Sequence, residues 1–332
     1  MRRKLWKKQI RTQMKNSDFD IIEEVRDYDN IAVSGHIKPD GDCIGSCIAM
    51  TEFLKKTFPE KKIVLFLEEP DECFMGIDGI EDIDSSFEGT EPDLYILIDA
   101  TPDRMGAGEK YYKKAKKTIN IDHHVSNENG SGDVNFIDPS ASSAAELIYR
   151  IIGEGALDKK IATWIYLGIV HDTGVFKYPS TSPDTLRIVA RLMEEGLNTQ
   201  DLIDRTYYEK TYTQNIACAK IVENSKLLFD GKVIVGSISL KEMNEDGFTK
   251  NDFDGVINQL RITKGSEVAV FMYPMNDVTM KVSLRSKEYV DVSLISQRFG
   301  GGGHVRAAGF YRKGTIESIT AELTVIFNEL GL

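Results

Sequence analysis

The chain has 332 residues, 41% of them hydrophobic and 28% charged, which is the composition of an ordinary globular protein long enough for two domains. No run approaches 18 apolar residues, so a transmembrane helix is excluded, and four cysteines (Cys43, Cys47, Cys73, Cys218) without a CxxC pair exclude a disulfide scaffold or a zinc ribbon. The net charge of −11 is uneven: residues 1–15 hold seven Lys or Arg and no acid, leaving net −18 on the other 317 residues, a body poorly suited to long duplex nucleic acid. Small phosphorylated ligands still suit such a body, in a locally positive or metal-loaded pocket.

Residues 1–17 read as a basic extension, helical and amphipathic with a solvated face. They lack the apolar stretch of a secretory signal. From residue 18 onward helical and strand patterns alternate. Asp18 or Asp20 can cap the short helix IIEEVRDY, and NIAVSG follows as a buried strand. DCIGSCIAMTEFLKKTF is a helix, KIVLFLEE a strand, and DLYILIDA and KTINID are apolar runs of the kind that fill parallel sheets covered on both faces. This succession predicts an α/β fold with an open, doubly wound parallel sheet. Residues from about 142 to 224 read as mostly helical, with ASSAAELIYRIIG and ATWIYLGIV the clearest segments. After about residue 225 the pattern changes to KLLFDGKVIVGSISL, SEVAVFMYP and VTMKVSLRS. The last two are antiparallel partners joined by a turn at Met275-Asn276-Asp277, and a helix closes the chain from about Ile316 to Leu330. The division is a first domain at 18–204, a polar linker helix at 205–224 and a smaller α/β domain at 225–332.

The chemistry concentrates around five histidines: His36, His123, His124, His171 and His304. Each lies within a few residues of an acid, an arginine or a glycine cluster. His36-Ile-Lys-Pro-Asp40-Gly-Asp42 follows the strand IAVSG directly, and ligands of open α/β sheets bind at the carboxyl ends of strands. Turn and helix-cap chemistry accounts for Asp40 and Asp42 but not for His36. Asp99 ends the strand LYILIDA, and Asp122-His123-His124 follows TINI. Adjacent histidines in an extended loop do not both face one point, so one can ligate while its neighbour or the Asp supports it. His171-Asp172-Thr173-Gly174 ends an apolar helix, where an ordinary cap is the competing explanation. Imidazole mixed with carboxylates suits Mn²⁺ or Mg²⁺ rather than a thiolate-rich zinc site. The ligands suffice for two ions, held about 3.5–4 Å apart under a bridging carboxylate. Finally, Gly300-Gly301-Gly302-Gly303-His304-Val305-Arg306 combines backbone N–H groups with cationic side chains and reads as an anion cradle.

In chain order, SGHIKPDGDCIGS, LIDAT, DHH, GIVHDTG, SLRS and GGGGHVRAAG span residues 31–310 and resemble the DHH/DHHA1 phosphoesterases. The match is strongest to their nanoRNase branch, which hydrolyses short oligoribonucleotides and dephosphorylates pAp. The resemblance implies a DHH catalytic domain at 18–204 and a DHHA1 substrate-binding domain at 225–332. It implies two Mn²⁺ ions, with Mg²⁺ as a substitute, and hydroxide attack on phosphorus. His36 and Asp40 would bind one ion; Asp42, His123 and Asp172 the other, with Asp99 bridging. Asp122 would orient an imidazole, and His124 would contact the scissile phosphate or assist the leaving group. Arg285, Gly301, Gly302, Gly303, His304 and Arg306 would hold the far phosphate and base. Many relatives carry a small or hydroxyl residue where His171 stands, so it is read as a neighbour of the site and not a ligand. The expected partners are short single-stranded RNA, pAp and pApA, in the cytoplasm and away from membranes, with a homodimer compatible.

The same motifs occur in phosphodiesterases of c-di-AMP or pApA. A family II pyrophosphatase would not share GGGGHVRAAG, and RecJ-type exonucleases are longer. A DHHA1-type nucleic-acid binder without turnover is the reading from another class. The six inferred metal ligands, all present, argue for the enzyme.

Overall fold

The computed structural model describes residues 19–332 apart from Thr90, so the basic extension and the alternative cap Asp18 lie outside the described residues. The chain divides into two compact units between Glu209 and Lys210.

The first unit opens with α1 (Ile21–Val25), capped by Asp20, whose carboxylate accepts the Ile22 N–H at 2.9 Å. There follow β1 (Asn30–Ser34), α2 (Gly41–Thr57), β2 (Lys62–Phe66), β3 (Ile83–Asp84), β4 (Leu94–Ile98), α3 (Glu109–Tyr112), β5 (Lys117–Asp122) and β6 (Val134–Ile137). Four helices complete it: α4 (Ala144–Ile152), α5 (Lys159–Asp172), α6 (Pro183–Met193) and α7 (Thr199–Ile203). The strands pair in parallel, in the order β3-β2-β1-β4-β5-β6. This is the doubly wound order expected of such a succession, and it places the reversal of winding between β1 and β4. Period-two alternation buries Ile31, Val33, Ile96 and Ile98 on one face among residues of α2, α4 and α5. Ala32, Tyr95 and Leu97 face the other way, against Phe66, Phe87 and Tyr111. Each fully buried aliphatic side chain contributes about 1.5–3 kcal/mol relative to exposure.

Two glycines let α2, α4 and α5 approach closely. A Cβ on Gly45 would stand 2.3 Å from the Trp164 carbonyl, and one on Gly168 would stand 2.4 Å from the Ala145 Cβ and 2.9 Å from Asp42 Oδ1. Asp42 is thereby brought against α4 and α5.

Residues 204–208 form a π-helical turn that ends the first unit. The second unit contains α8 (Tyr212–Glu223), β7 (Lys226–Leu228), β8 (Val233–Ser237), α9 (Leu240–Glu245), α10 (Val256–Arg261), β9 (Val268–Pro274) and β10 (Thr279–Ser286). It ends with α11 (Val292–Arg298), β11 (Gly302–His304), β12 (Ala307–Lys313) and α12 (Ile316–Glu329). The sheet order is β11-β12-β10-β9-β8-β7, with β8–β9 parallel and the other pairs antiparallel. The turn between β9 and β10 is held by Asn276, whose side-chain oxygen accepts the N–H groups of Val278 and Thr279 at 3.1 and 2.9 Å. Helix α8 packs within this unit, burying Ala217 and Ile221 against Ile234 and Leu260. The opposite face of the sheet buries Val270, Val282 and Leu284 under Ile295, Ile319 and Phe327 of α11 and α12. No helix among the described residues is long and apolar enough to cross a membrane, and the four cysteines are free.

Candidate active site

The loops after β1 and β4 begin side by side at the reversal point, and His36, Asp40 and Asp99 come together there. His36 is buried, and its Nδ1–H donates to the Ile37 carbonyl at 2.8 Å, which directs Nε2 toward Asp40 Oδ1 (3.7 Å) and Asp99 Oδ2 (3.5 Å). Burial of this imidazole acts against its charge, but Asp40 and Asp99 outweigh burial and raise its pKa far above the ordinary histidine range. Asp40 also caps α2, accepting the N–H groups of Asp42 and Cys43, each at 3.1 Å. Asp42 lies inside the helix, and its buried carboxylate accepts the N–H groups of Ala144 (2.7 Å) and Ala145 (2.9 Å) at the start of α4.

Asp99 connects the parts. It is 2% exposed and holds φ at +55°, a left-handed conformation that costs a non-glycine residue on the order of 1–3 kcal/mol. Its Oδ1 is buried without a hydrogen-bond partner, an uncompensated polar atom of the kind that folded proteins avoid. That oxygen faces His123 Nε2 at 3.6 Å and His124 Nδ1 at 3.4 Å, while Oδ2 faces His36. His123 Nε2 stands 3.7 Å from Asp42 Oδ2 and 3.6 Å from Asp172 Oδ2. These separations exceed a normal hydrogen bond. They match the roughly 3–3.6 Å between two donors that each sit about 2.1 Å from a shared ion. In three groups one ligand atom of each residue lies within 4.8 Å of the others: Asp42-His123-Asp172, Asp99-His123-His124 and His36-Cys43-Asp99. Cys43 is an addition the sequence reading did not make; its sulfur accepts the His36 backbone N–H at 3.3 Å.

Electrostatics argue the same way. Burial, followed by repulsion from Asp99, Asp172 and Asp40, pushes Asp42 well above the carboxylate range. Asp172 is raised to about 6 by burial, partly offset by His123 and reinforced by Asp99 and Asp40. Four carboxylates crowded around imidazoles fit a divalent cation, and the unsatisfied Asp99 oxygen supports that fit.

Asp122 is occupied elsewhere. Its Oδ1 accepts the N–H groups of His123 (2.8 Å) and His124 (3.1 Å) and the His124 ring Nδ1–H (2.8 Å). Its Oδ2 accepts from Asn127 Nδ2 at 2.6 Å, and Asn127 also donates to Asn120 Oδ1 at 2.8 Å. Asn120 in turn donates to the Leu97 and Ala100 carbonyls at 3.2 and 3.1 Å. Neither Asn was a candidate from sequence, because an asparagine on a strand or in a turn carries no recognisable signal. His171 does not join the carboxylate cluster. Its Nε2–H donates to Thr206 Oγ1 at 3.0 Å, its ring packs on Phe74 and Tyr207, and burial lowers its pKa to about 4.

In the second unit, Arg285 on β10 donates to the Leu284 carbonyl at 3.0 Å. Arg306 donates to the Val290 carbonyl at 2.9 Å and to the Glu288 carbonyl. Glu267 braces the same loop from the other side, accepting the N–H groups of Glu288, Tyr289 and Val290. Gly302 and Gly303 lie on β11, paired with Gly309 and Ala308, and so form a short edge strand, with Gly301 just before it. The side chain of His304 lies outside the described residues.

A DHH family N-terminal domain matches residues 30–169, and a DHHA1 domain matches residues 230–329. The chain is 30% identical over 318 residues to the bifunctional oligoribonuclease and PAP phosphatase NrnA of Bacillus subtilis, covering 93% of this chain and 98% of that protein. The protein of the same name from Thermus thermophilus is 29% identical over 89% of this chain and 90% of its own length. Among solved structures, an exopolyphosphatase-related protein from Bacteroides fragilis shares the fold, with a TM-score of 0.84 at 23% identity over 92% of this chain and 94% of that one. With both domain types in order and relatives matched along nearly their whole length, the chain belongs to the DHH family of phosphoesterases, carries a DHHA1 domain, and is a hydrolase.

Proposed function

We propose that this protein hydrolyses short oligoribonucleotides and pAp in the cytoplasm, using two divalent cations for which Mn²⁺ is the preferred ion and Mg²⁺ a substitute. The observation that carries the metal reading is Asp99, whose two oxygens face two separate donor groups and whose Oδ1 lacks any hydrogen-bond partner. His36 and Asp40 would hold one ion, Asp42, His123 and Asp172 the other, and Asp99 would contact both. When bound, such ions supply positive charge to the phosphoryl oxygens and a water acidic enough to attack phosphorus at neutral pH.

The remaining steps belong to the chain. Asp122 holds His124 through Nδ1, so Nε2 is the atom available to a substrate. In the metal-free protein His124 is raised to about 8 by its hydrogen bond to Asp122, against the opposing effect of burial. A protonated imidazole there can hydrogen-bond the scissile phosphate and donate to the leaving oxygen. In the second unit Arg285, Gly301, Gly302, Gly303, His304 and Arg306 would bind the far end of the substrate, which converts binding energy into orientation. The substrate class is supported by the names of the relatives matched over most of their length.

The test is product analysis with Mn²⁺ on pAp, pApA, c-di-AMP and 5-mer RNA. AMP and phosphate from pAp, and mononucleotides from pApA and the 5-mer, are expected. Cleavage of c-di-AMP alone, or no hydrolysis of any of the four, overturns the reading.

A further inference from the structure

We propose that Glu146, which belongs to none of the metal-binding groups, is the positioning residue that sets the orientation of Asp42; this rests on the metal reading above. Asp42 can present an oxygen to His123 and Asp172 only if its carboxylate is held, and the holders are two backbone groups, the N–H of Ala144 and of Ala145. Those belong to the first turn of α4, whose N–H groups have no partner within their own helix. Their direction depends on how the backbone enters that helix.

Glu146 governs the entry. Its N–H donates to Ser143 Oγ at 3.0 Å, the cap of α4. Its Oε2 accepts the Ser142 N–H at 3.2 Å, the Ser142 hydroxyl at 2.5 Å and the Thr185 hydroxyl of α6 at 2.8 Å. Its Oε1 pairs with Arg150, whose other nitrogen reaches Asp138 Oδ2 at 2.8 Å. The contacts at residues 142 and 143 on one side, and Glu146 itself on the other, bracket Ala144 and Ala145. A fully buried carboxylate is costly unless its acceptors are satisfied; the bonds to Ser142 and Ser143 hold the segment that grips Asp42, while Thr185 and Arg150 fix the carboxylate itself. Asp42 lies 102 residues from Ala144, so this grip exists only in the folded chain.

The experiment measures Mn²⁺ binding by titration calorimetry for the wild type, Glu146→Gln and Thr185→Val, together with the melting temperature of each metal-free protein. Thr185→Val removes the hydrogen bond to Oε2 together with the Thr185 hydroxyl's contacts to the Ser182 N–H and hydroxyl in the α6 cap, and serves as the second variant should Glu146→Gln fail to fold. Mn²⁺ affinity roughly 10–100-fold weaker in the folded variants is expected, the size typical of groups that orient metal ligands. In steady state the loss should fall on kcat at fixed Mn²⁺, with KM for pAp nearly unchanged. Folded variants that bind Mn²⁺ as tightly as the wild type, with only the melting temperature lowered, overturn the proposal. A wild type that binds no Mn²⁺ overturns the metal reading and this proposal with it.

Discussion

Asp122 Oδ1 accepts the Nδ1–H of His124 at 2.8 Å while also accepting the backbone N–H groups of His123 and His124, so one carboxylate oxygen fixes both the tautomer and the orientation of the second imidazole of the DHH motif. From this follows a division of labour between adjacent histidines. His124→Ala should lower kcat on pAp by about 10²–10⁴-fold while bound Mn²⁺ stays near the wild-type stoichiometry. Metal analysis beside steady-state kinetics checks it; a variant that loses its metal would mark His124 as a ligand instead.

The crowded carboxylates set the pH response of the metal-free protein. Burial raises Asp172 to about 6, above its unfolded value, so stability is highest while it is protonated and declines as pH climbs from about 4 through about 6. The hydrogen bond to Asp122 raises His124 to about 8, so its stabilising contribution is fully present below about 6.5 and is lost as pH rises through about 8. His171, lowered to about 4 by burial, opposes Asp172 below about 6.5. The melting temperature without metal should therefore fall between pH 6.5 and pH 8.5, where His124 loses its proton, and Mn²⁺, which competes with the proton on Asp172, should bind more tightly as pH rises through about 6. Scanning calorimetry without metal, and Mn²⁺ titrations in buffers of different ionisation enthalpy, measure both effects. A flat melting temperature with no proton release contradicts the account.

Gly41 lies against the ring of His171: a Cβ built there would stand 2.2 Å from Cγ of the imidazole. Gly41→Ala should therefore destabilise by about 1–3 kcal/mol and weaken Mn²⁺ binding, because Asp40 and Asp42 flank the displaced backbone. Adding His171→Ala should recover only part of both losses, because the Cβ that remains at 171 would still stand 2.7 Å from the new one. Chemical denaturation of the two single variants and the double variant gives the coupling, and strict additivity would remove the steric explanation.

Arg306 braces the loop at 288–290 through two carbonyls, a fork that lysine cannot reproduce. Arg306→Ala and Arg306→Lys should both raise KM for pAp roughly tenfold or more, with kcat changed little, whereas Asp99→Ala should abolish turnover. Equal losses confined to kcat in the Arg306 and Asp99 variants would contradict this.

Substrate length should matter. Outside the first fifteen residues the chain is net −18, so a long strand gains little from counterion release. We expect kcat/KM to fall steeply from 2-mer to 5-mer to 24-mer RNA. The seven cations in residues 1–15 are the natural exception, and their removal should affect the 24-mer most. Equal efficiency on the 2-mer and the 24-mer, with or without those residues, would refute the expectation.

Much of the fold was legible because its signals are local. Apolar runs such as those of β1, β4 and β5, alternating with helical spacing, state a parallel α/β sheet through short-range backbone rules. Acidic and histidine clusters at strand ends could be read as one site because the fold class places strand ends together. What tertiary structure alone decided involves residues far apart in the chain. The strand order set β4 beside β1, so that Asp99 comes between His36 and His123. The start of α4 came to grip Asp42 from 102 residues away, with Glu146 behind it. Asn120 and Asn127 were recruited to Asp122, and Arg306 was turned onto loop carbonyls. No periodicity or spacing encodes these pairings. They arise where buried polar groups must find partners, and which partners are within reach is set by packing between elements, not by the chain on either side of each residue.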